Sequence, residues 1–289
     1  MKKIKSLFCI GLLLTVATTV NAQSVTWISS TEGNVWQKSK VKLQSKSEQN
    51  PVLQVDGTEN GVVFKNWGTT FNELCWDALG LLTRTEQDEI LYNIFSPQGD
   101  LRITRGRISM GANDYARSWY SCDEVEGDFE LRYFNINRDK QTIIPFIRAA
   151  QKYNPNLTFW ISPWCPPSWM KINGDYPVLS SPFNSLSEKQ NYLLYGATGG
   201  QVDENEMKLT DARDGVFPRQ LATTDFMIQD PRYLQTYADY FCRFIDAYKE
   251  QGIPIDMVMY QNEAYSYTPY PGCAWTATGT IRFNKEYLA

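Results

Sequence analysis

From residue 61 onward, apolar runs of strand length alternate with segments of helical periodicity. The runs are Gly61–Phe64, Leu101–Ile108, Leu157–Ser162 and Ile255–Tyr260. Between them, segments 83–95, 139–153 and 230–252 carry apolar residues at the spacing of an amphipathic helix. This order predicts a parallel β/α architecture, either doubly wound or a barrel. No glycine-rich phosphate loop follows the first run, which disfavours a dinucleotide-binding fold.

Two of the helices have clear starting signals. Thr83 is followed three residues later by Glu86, which is the spacing of a capping box. Asp230 precedes Pro231, and proline is favoured in the first turn of a helix. We therefore expect one helix to begin after Thr83 and another to run from Asp230 to Gly252.

The first 60 residues differ in composition from the rest of the chain. Residues 1–22 combine a basic start, the apolar stretch Leu7–Val20 and a small-residue cleavage site at Ala22, which is the pattern of a secretory signal peptide. Residues 23–60 are polar with short alternating stretches, and they predict strands of a side sheet. The β/α domain then covers 61–289. We expect a secreted or periplasmic protein without a membrane span.

Composition narrows the chemistry that the chain can perform. The 289 residues include no histidine, and 14% of them are aromatic, with a net charge of −4. Without histidine, acid–base chemistry must come from carboxylates, Tyr, Lys or Cys. The charge disfavours a nucleic-acid partner, and we expect neither a metal nor a cofactor. The six cysteines show no C-x-x-C spacing. The sequence leaves open whether one or two disulfides form, and it assigns no pairing.

Candidate functional residues follow the predicted strands. Parallel barrels carry their chemistry at the carboxyl ends of the strands. In chain order these residues are Trp67 and Glu73, Arg107 and Asp114, Trp164 and Trp169, and Asn262 and Glu263. Aromatic rings that stack on a sugar face, combined with polar groups that hold its hydroxyls, suit recognition of a polyhydroxylated ring.

Each of these residues also has a purely structural interpretation. Glu263 can be a solvated loop carboxylate, and Asn262 can favour the turn after a strand. Trp164 and Trp169 lie close to the prolines of 163–167 and can form a rigid packed corner. Arg107 and Asp114 can form a structural ion pair, and Glu73 is expected to support the helix that follows it. Their shared location after strands favours the functional interpretation.

The same residues resemble glycoside hydrolase family 30, the group that contains glucosylceramidases and β-1,6-glucanases. The resemblance covers most of residues 61–275. It is carried by the stretches Thr70–Asp77, Arg107–Tyr115, Ser162–Lys171 and Gln261–Glu263, which follow in the family's order.

The resemblance implies a (β/α)8 barrel with a β-sandwich at its side, and retaining hydrolysis of β-glucosidic linkages by two glutamates. It implies that Glu263 is the general acid/base and that Asn262 binds the 2-hydroxyl of the sugar. Asp114 and Trp164 would line the same subsite, and Arg107 would order the carboxylates around it. The substrate would be a carbohydrate, either a β-glucan or a glucosylceramide-like lipid.

In the family the nucleophile follows a seventh strand, whereas this sequence provides about four β/α units. We therefore expect an amino-terminal portion of the barrel that lacks the nucleophile and is inactive alone, with the carboxyl-terminal half as a possible partner. The alternative is a non-catalytic carbohydrate-binding remnant. A polar insertion at 171–229, with several aromatic residues, favours a glucan over a glycolipid as substrate.

Overall fold

The computed structural model describes residues 24–42, 61, 63–187 and 224–289, and the chain divides into two compact units, Met1–Val63 and Phe64–Ala289. In the first unit, β1 (Ser24–Thr31) and β2 (Asn34–Lys42) form an antiparallel hairpin. Gly33 in the turn has a φ of 77°, a conformation that glycine adopts without strain. The predicted signal peptide and the strands predicted within 43–60 lie outside the described residues.

The second unit is built on a four-stranded parallel sheet. Its strands, in spatial order, are β3 (Gly68–Phe71), β4 (Arg105–Ser109), β5 (Thr158–Ser162) and β6 (Ile255–Val258). Every neighbouring pair is parallel, which confirms the predicted β/α architecture. Among the described residues the sheet is open, so the closed barrel that the resemblance implies for the family is not shown, and the predicted truncation after about four β/α units stays a prediction.

Five α-helices accompany the sheet in the described part of the chain. They are α1 (Glu73–Gly80), α2 (Arg84–Phe95), α3 (Ile143–Gln151), α4 (Pro231–Glu250) and α5 (Ala277–Phe283). Both predicted helix starts are confirmed. Thr83 and Glu86 form a reciprocal capping box at α2, and the side chain of Asp230 accepts a hydrogen bond from the backbone N–H of Arg232 at α4.

The position predicted for the first strand is wrong. Val63 and Phe64 are exposed and lie outside any strand, whereas β3 begins at Gly68. A Cβ on Gly68 would lie only 2.9 Å from the backbone oxygen of Arg105, so glycine permits the close pairing of β3 with β4. Trp67 therefore precedes the strand and lies at its amino end, far from the carboxyl ends where sequence analysis placed it.

The sheet has two different faces. One face packs against the helices through buried side chains such as Phe71, Ile108 and Phe159. A Cβ on Gly106 would come within 2.5 Å of Phe71 and 2.9 Å of Phe159, so glycine lets these two rings pack across β4. The opposite face is polar, and Arg105 on it forms an ion pair with Asp256 of β6.

The described ends of the predicted insertion are built into the fold. Phe226 and Met227 are fully buried, and Met227 forms an antiparallel bridge with Lys171. Lys171 is itself buried, and the three N–H groups of its ammonium are shared among four backbone oxygens within hydrogen-bonding distance. The acceptors are Asp175 at 2.6 Å, Tyr176 at 2.7 Å, Pro177 at 3.2 Å and Gly272 at 2.8 Å. Residues 188–223 lie outside the described part.

The cysteines outside the predicted signal peptide are all described, and none of these five is bonded to another. Cys75, Cys122, Cys165, Cys242 and Cys273 are free thiols, so the disulfides left open from sequence are not found among them. In the described part of the chain, no helix has the length and apolar character needed to span a membrane.

Candidate active site

Arg107 is the centre of a cluster on the polar face of the sheet. It lies within β4, and its Nε and Nη2 atoms donate to Oγ of Ser162 at 3.0 and 2.7 Å. Nη2 also donates to Oδ1 of Asn262 at 2.6 Å. The guanidinium lies over the rings of Trp164 at 4.0 Å and Trp160 at 4.9 Å. One side chain therefore joins β4, the end of β5 and the loop after β6.

Two carboxylates lie in the electrostatic field of this guanidinium. Burial lowers the pKa of Arg107, and the charges of Asp114 and Glu263 act in the opposite direction. Asp114 and Glu263 are both exposed. The structure thus brings Arg107, Asn262 and Trp164 into direct contact and places Asp114 and Glu263 near them.

The loop after β6 is held by the loop after β5. The backbone N–H of Asn262 donates to the oxygen of Pro163 at 2.8 Å, and Nε2 of Gln261 donates to the oxygen of Trp164 at 2.6 Å. Nε1 of Trp275 in turn donates to Oε1 of Gln261 at 3.2 Å. These bonds fix the backbone directly before Glu263.

Glu263 has a left-handed backbone. Its φ is 49°, which is uncommon for a residue other than glycine. The backbone N–H of Ser266 donates to the oxygen of Glu263 at 2.9 Å, and that of Trp275 donates to the oxygen of Ala264 at 2.9 Å. The surrounding hydrogen bonds thus impose a conformation that the glutamate would not prefer by itself. Such residues occur often at functional sites.

The two tryptophans after β5 differ in their contacts. Trp164 is 6% exposed and carries the guanidinium of Arg107 on one face. Trp169 packs against Phe129 and Tyr233, with ring centroids 5.4 and 5.8 Å away. For Trp169 the structural interpretation as a packed corner is therefore the correct one. Trp164 presents only a small part of its ring to solvent.

Glu73 is likewise a structural residue. It is 2% exposed and forms an ion pair with Arg138, with 2.6 Å between Oε2 and Nη2. Glu73 is the first residue of α1, but Asn72 caps this helix, and the carboxylate of Glu73 bonds to Arg117 and Arg138, which lie outside α1. The expectation that Glu73 caps or supports the helix is therefore not confirmed by its contacts.

Three residues of this cluster were not selected from the sequence as candidate site residues: Trp160, Ser162 and Gln261. Trp160 and Ser162 alternate along β5 with the buried residues Phe159 and Ile161. That alternation was a signal that both lie on the same face as Arg107. Gln261 was visible only as part of a motif. In the described ranges 24–42, 63–187 and 224–289, no group of three or more Cys, Asp or Glu side chains could hold a metal ion.

A parallel sheet covered by helices on one face, with polar side chains converging at its carboxyl ends, is the arrangement found in β/α-barrel domains. The model of the glycosyl hydrolase family 30 TIM-barrel domain matches residues 64–181. Together with the relatives described next, this match supports membership of the chain in glycoside hydrolase family 30.

The chain is 27% identical over 250 residues to the putative glucosylceramidase 4 of Caenorhabditis elegans, an alignment that covers 86% of this chain and 40% of that protein. It is 26% identical over 231 residues to the endo-1,6-beta-D-glucanase neg1 of Aspergillus fumigatus, covering 78% and 40%. The fold matches the crystal structure of SrfJ from Salmonella typhimurium with a TM-score of 0.61 and 18% identity, over 90% of this chain and 48% of that one. The chain thus spans less than half the length of these proteins.

Proposed function

We propose that this chain carries the acid/base part of the active site of a secreted, retaining glycoside hydrolase that cleaves β-glucosidic linkages. The observation that carries the proposal is the contact of Arg107 with Asn262 at 2.6 Å, next to Glu263 and within the field of Asp114. Both the glucosylceramidase and the β-1,6-glucanase relatives point to a β-glucosidic substrate.

In this proposal Glu263 protonates the oxygen of the leaving group and later activates water. The amide of Asn262, fixed by Arg107, binds the 2-hydroxyl of the sugar, and Asp114 and the edge of Trp164 line the same subsite. A retaining enzyme needs a second carboxylate about 5 Å from the acid. We place that nucleophile outside the four described strands, which would be the first four of an eight-stranded barrel.

The remaining parts of the proposal concern the amino-terminal residues 1–42. Residues 1–22 would direct export and be removed, and the hairpin of β1 and β2 would belong to a side sandwich. Sequencing the amino terminus of the exported protein checks the first point, with Gln23 as the expected first residue.

For the substrate we favour a glucan over a glycolipid. The support comes from residues 188–223, in which six of 36 side chains are Asp or Glu, a composition unlike that of an apolar lipid groove. Because Lys171 and Asp225 are anchored in the fold, the proper test replaces only 188–223 by a short Gly/Ser linker. Weaker binding of β-glucan oligosaccharides with unchanged binding of a small aryl β-glucoside would support the proposal, and unchanged binding of both would contradict it.

The central experiment is calorimetric titration of the 289-residue chain with a β-1,6-linked glucose disaccharide, using an α-linked glucose disaccharide as the control ligand. We expect binding of the β-linked sugar only. Asn262→Ala and Asp114→Asn should each weaken it about tenfold or more, because each removes a hydrogen-bonding group from the sugar. Asp246→Asn, an exposed carboxylate on α4, is the matched control and should have no effect.

Each outcome separates one part of the proposal from the others. Equal binding of both disaccharides, or none, would contradict the proposed function. Release of glucose by this chain alone would contradict the placement of the nucleophile outside the four strands. The chain can also bind the β-linked sugar selectively and still show no turnover when it is joined to the remaining segments of the barrel. That outcome would favour the alternative, a non-catalytic carbohydrate-binding protein.

A further inference from the structure

Asp114 lies on a loop with a closed base. The backbone N–H of Ala112 donates to the oxygen of Tyr120 at 2.8 Å, which joins the two ends of the loop 111–120. Gly111 makes the turn possible, because it has a φ of 83° and a Cβ there would lie 2.9 Å from the same oxygen of Tyr120. Next to Asp114, the side chain of Asn113 accepts a hydrogen bond from the N–H of Tyr115 at 2.9 Å.

The far side of this loop is tied to the first turn of α1. The backbone N–H of Leu74 donates to the oxygen of Tyr115 at 3.1 Å. Oε2 of Glu73 accepts the backbone N–H of Arg117 at 2.8 Å. The residues directly after Asp114 are therefore held by the start of α1 and by one buried carboxylate.

A second side chain completes the attachment. Arg138 donates from Nε to Oε1 of Glu73 at 2.9 Å and from Nη2 to Oε2 at 2.6 Å, which is a two-point pair. The same guanidinium donates to Oγ and to the backbone oxygen of Ser118, at 2.8 and 2.9 Å, and lies 4.1 Å from the ring centroid of Tyr120. Glu73 and Arg138 together thus hold the loop at Arg117, Ser118 and Tyr120.

The carboxylate of Glu73 is buried, with 2% of its side chain exposed, whereas the contacts that Arg138 makes with Ser118 are exposed. Burial acts to raise the pKa of Glu73, yet the hydrogen bonds from Arg138 and Arg117 hold that pKa below its ordinary value. A charged, fully bonded carboxylate at the start of a helix is a rigid attachment point.

We propose that Glu73 is a positioning residue: paired with Arg138, it holds the loop 111–120 so that the carboxylate of Asp114 faces Arg107 and the sugar subsite. The role rests on the proposed function, because Asp114 needs a fixed place only if it binds substrate. Glu73 does not itself touch the sugar. It acts through the backbone of the loop, and its removal lowers sugar affinity by letting Asp114 move.

The first test measures the loop without any sugar. Glu73→Gln keeps the shape of the side chain but removes its charge and one acceptor. Hydrogen–deuterium exchange of the peptide spanning 111–120 should become about tenfold faster or more, since its amides open more often. Asp77→Asn is the matched control: it weakens the exposed pair of Asp77 with the side chain of Arg117 and should leave exchange nearly unchanged. Unchanged exchange in Glu73→Gln would overturn the proposal.

The second test asks whether Glu73 acts through Asp114. Calorimetric affinity for the β-1,6-linked glucose disaccharide is measured for the unsubstituted chain, Glu73→Gln, Asp114→Asn and the double variant. We expect each single change to weaken binding and the double variant to bind no more weakly than Asp114→Asn alone. Losses that multiply would show that Glu73 acts independently of Asp114, and they would overturn the proposal. A general loss of folding does not produce this pattern.

A milder variant covers the case in which Glu73→Gln does not fold. Arg138→Lys keeps the positive charge but cannot make the two-point pair with Glu73, and it should change loop exchange and sugar affinity in the same directions by a smaller factor. No change in either quantity would overturn the proposal. If the unsubstituted chain fails to bind the disaccharide, the proposed function itself fails, whereas the exchange measurement still shows separately whether Glu73 holds the loop.

Discussion

The buried carboxyl group of Asp139 should make the protein less stable as the pH rises through the weakly acidic range. Asp139 lies in the short 3-10 turn Asp139–Gln141 before α3 and is fully buried. It accepts hydrogen bonds from the hydroxyls of Tyr120 at 2.7 Å and Tyr248 at 2.6 Å. Burial raises the pKa of Asp139 from 3.8 to about 6, although these two hydroxyls act in the opposite direction.

The sign of the effect follows from proton binding. Between a pH of 3.8 and about 6, the folded state keeps a proton on Asp139 that the unfolded state has released. The free energy of unfolding therefore falls with rising pH over this range and levels off above the folded pKa. The full loss is ~3 kcal/mol, since one pKa unit corresponds to about 1.4 kcal/mol. From about pH 5 to pH 8 the loss is roughly 1 to 2 kcal/mol.

Asp139→Asn isolates this contribution because the amide has nearly the same shape and no charge to bury. Urea denaturation of the variant and the unsubstituted chain at several pH values gives their difference in unfolding free energy, in which all other titrating groups cancel. The difference should shift in favour of the variant as the pH rises from about 5 to about 8, by the 1 to 2 kcal/mol expected for Asp139. A difference that does not change with pH would refute the reasoning, and Asp246→Asn should show that flat behaviour.

Three further substitutions test how the fold is held together. Gly106→Ala should lower the free energy of unfolding by about 1–3 kcal/mol, because its methyl group would collide with Phe71 and Phe159; an unchanged urea midpoint would contradict that packing. Lys171→Met should lower the free energy of unfolding by at least ~3 kcal/mol, since several buried or part-buried backbone oxygens lose their donor. A variant with the parental melting temperature would contradict this. Thr83→Ala should lower the free energy of unfolding by about 1 kcal/mol, because the cap of α2 is lost. An unchanged melting temperature, followed by circular dichroism, would show that α2 does not depend on its cap.

Elements with local signals were correct from sequence. The capping box of Thr83 and the Asp230–Pro231 start depend only on residues within one helical turn, and both are present. The third apolar run coincides with β5, and the fourth contains β6. The first strand was misplaced because Gly61–Phe64 is more apolar than Gly68–Phe71. Its position depends instead on the close approach of Gly68 to Arg105, which no local pattern reveals.

The candidate site also divides into features that local sequence signals indicate and features that only tertiary packing decides. Sequence alone proposed Arg107, Asp114, Trp164, Asn262 and Glu263 as site residues, because they follow strands or belong to recognisable motifs. It did not determine which of them touch: the contact of Arg107 with Asn262 joins residues 155 positions apart and depends on the register of three strands. The role of Glu73 depends on Arg138, which is 65 residues away and in no motif. Helix starts and strand candidates are local properties of the chain, whereas the partners of a charged side chain are chosen only when distant segments pack together.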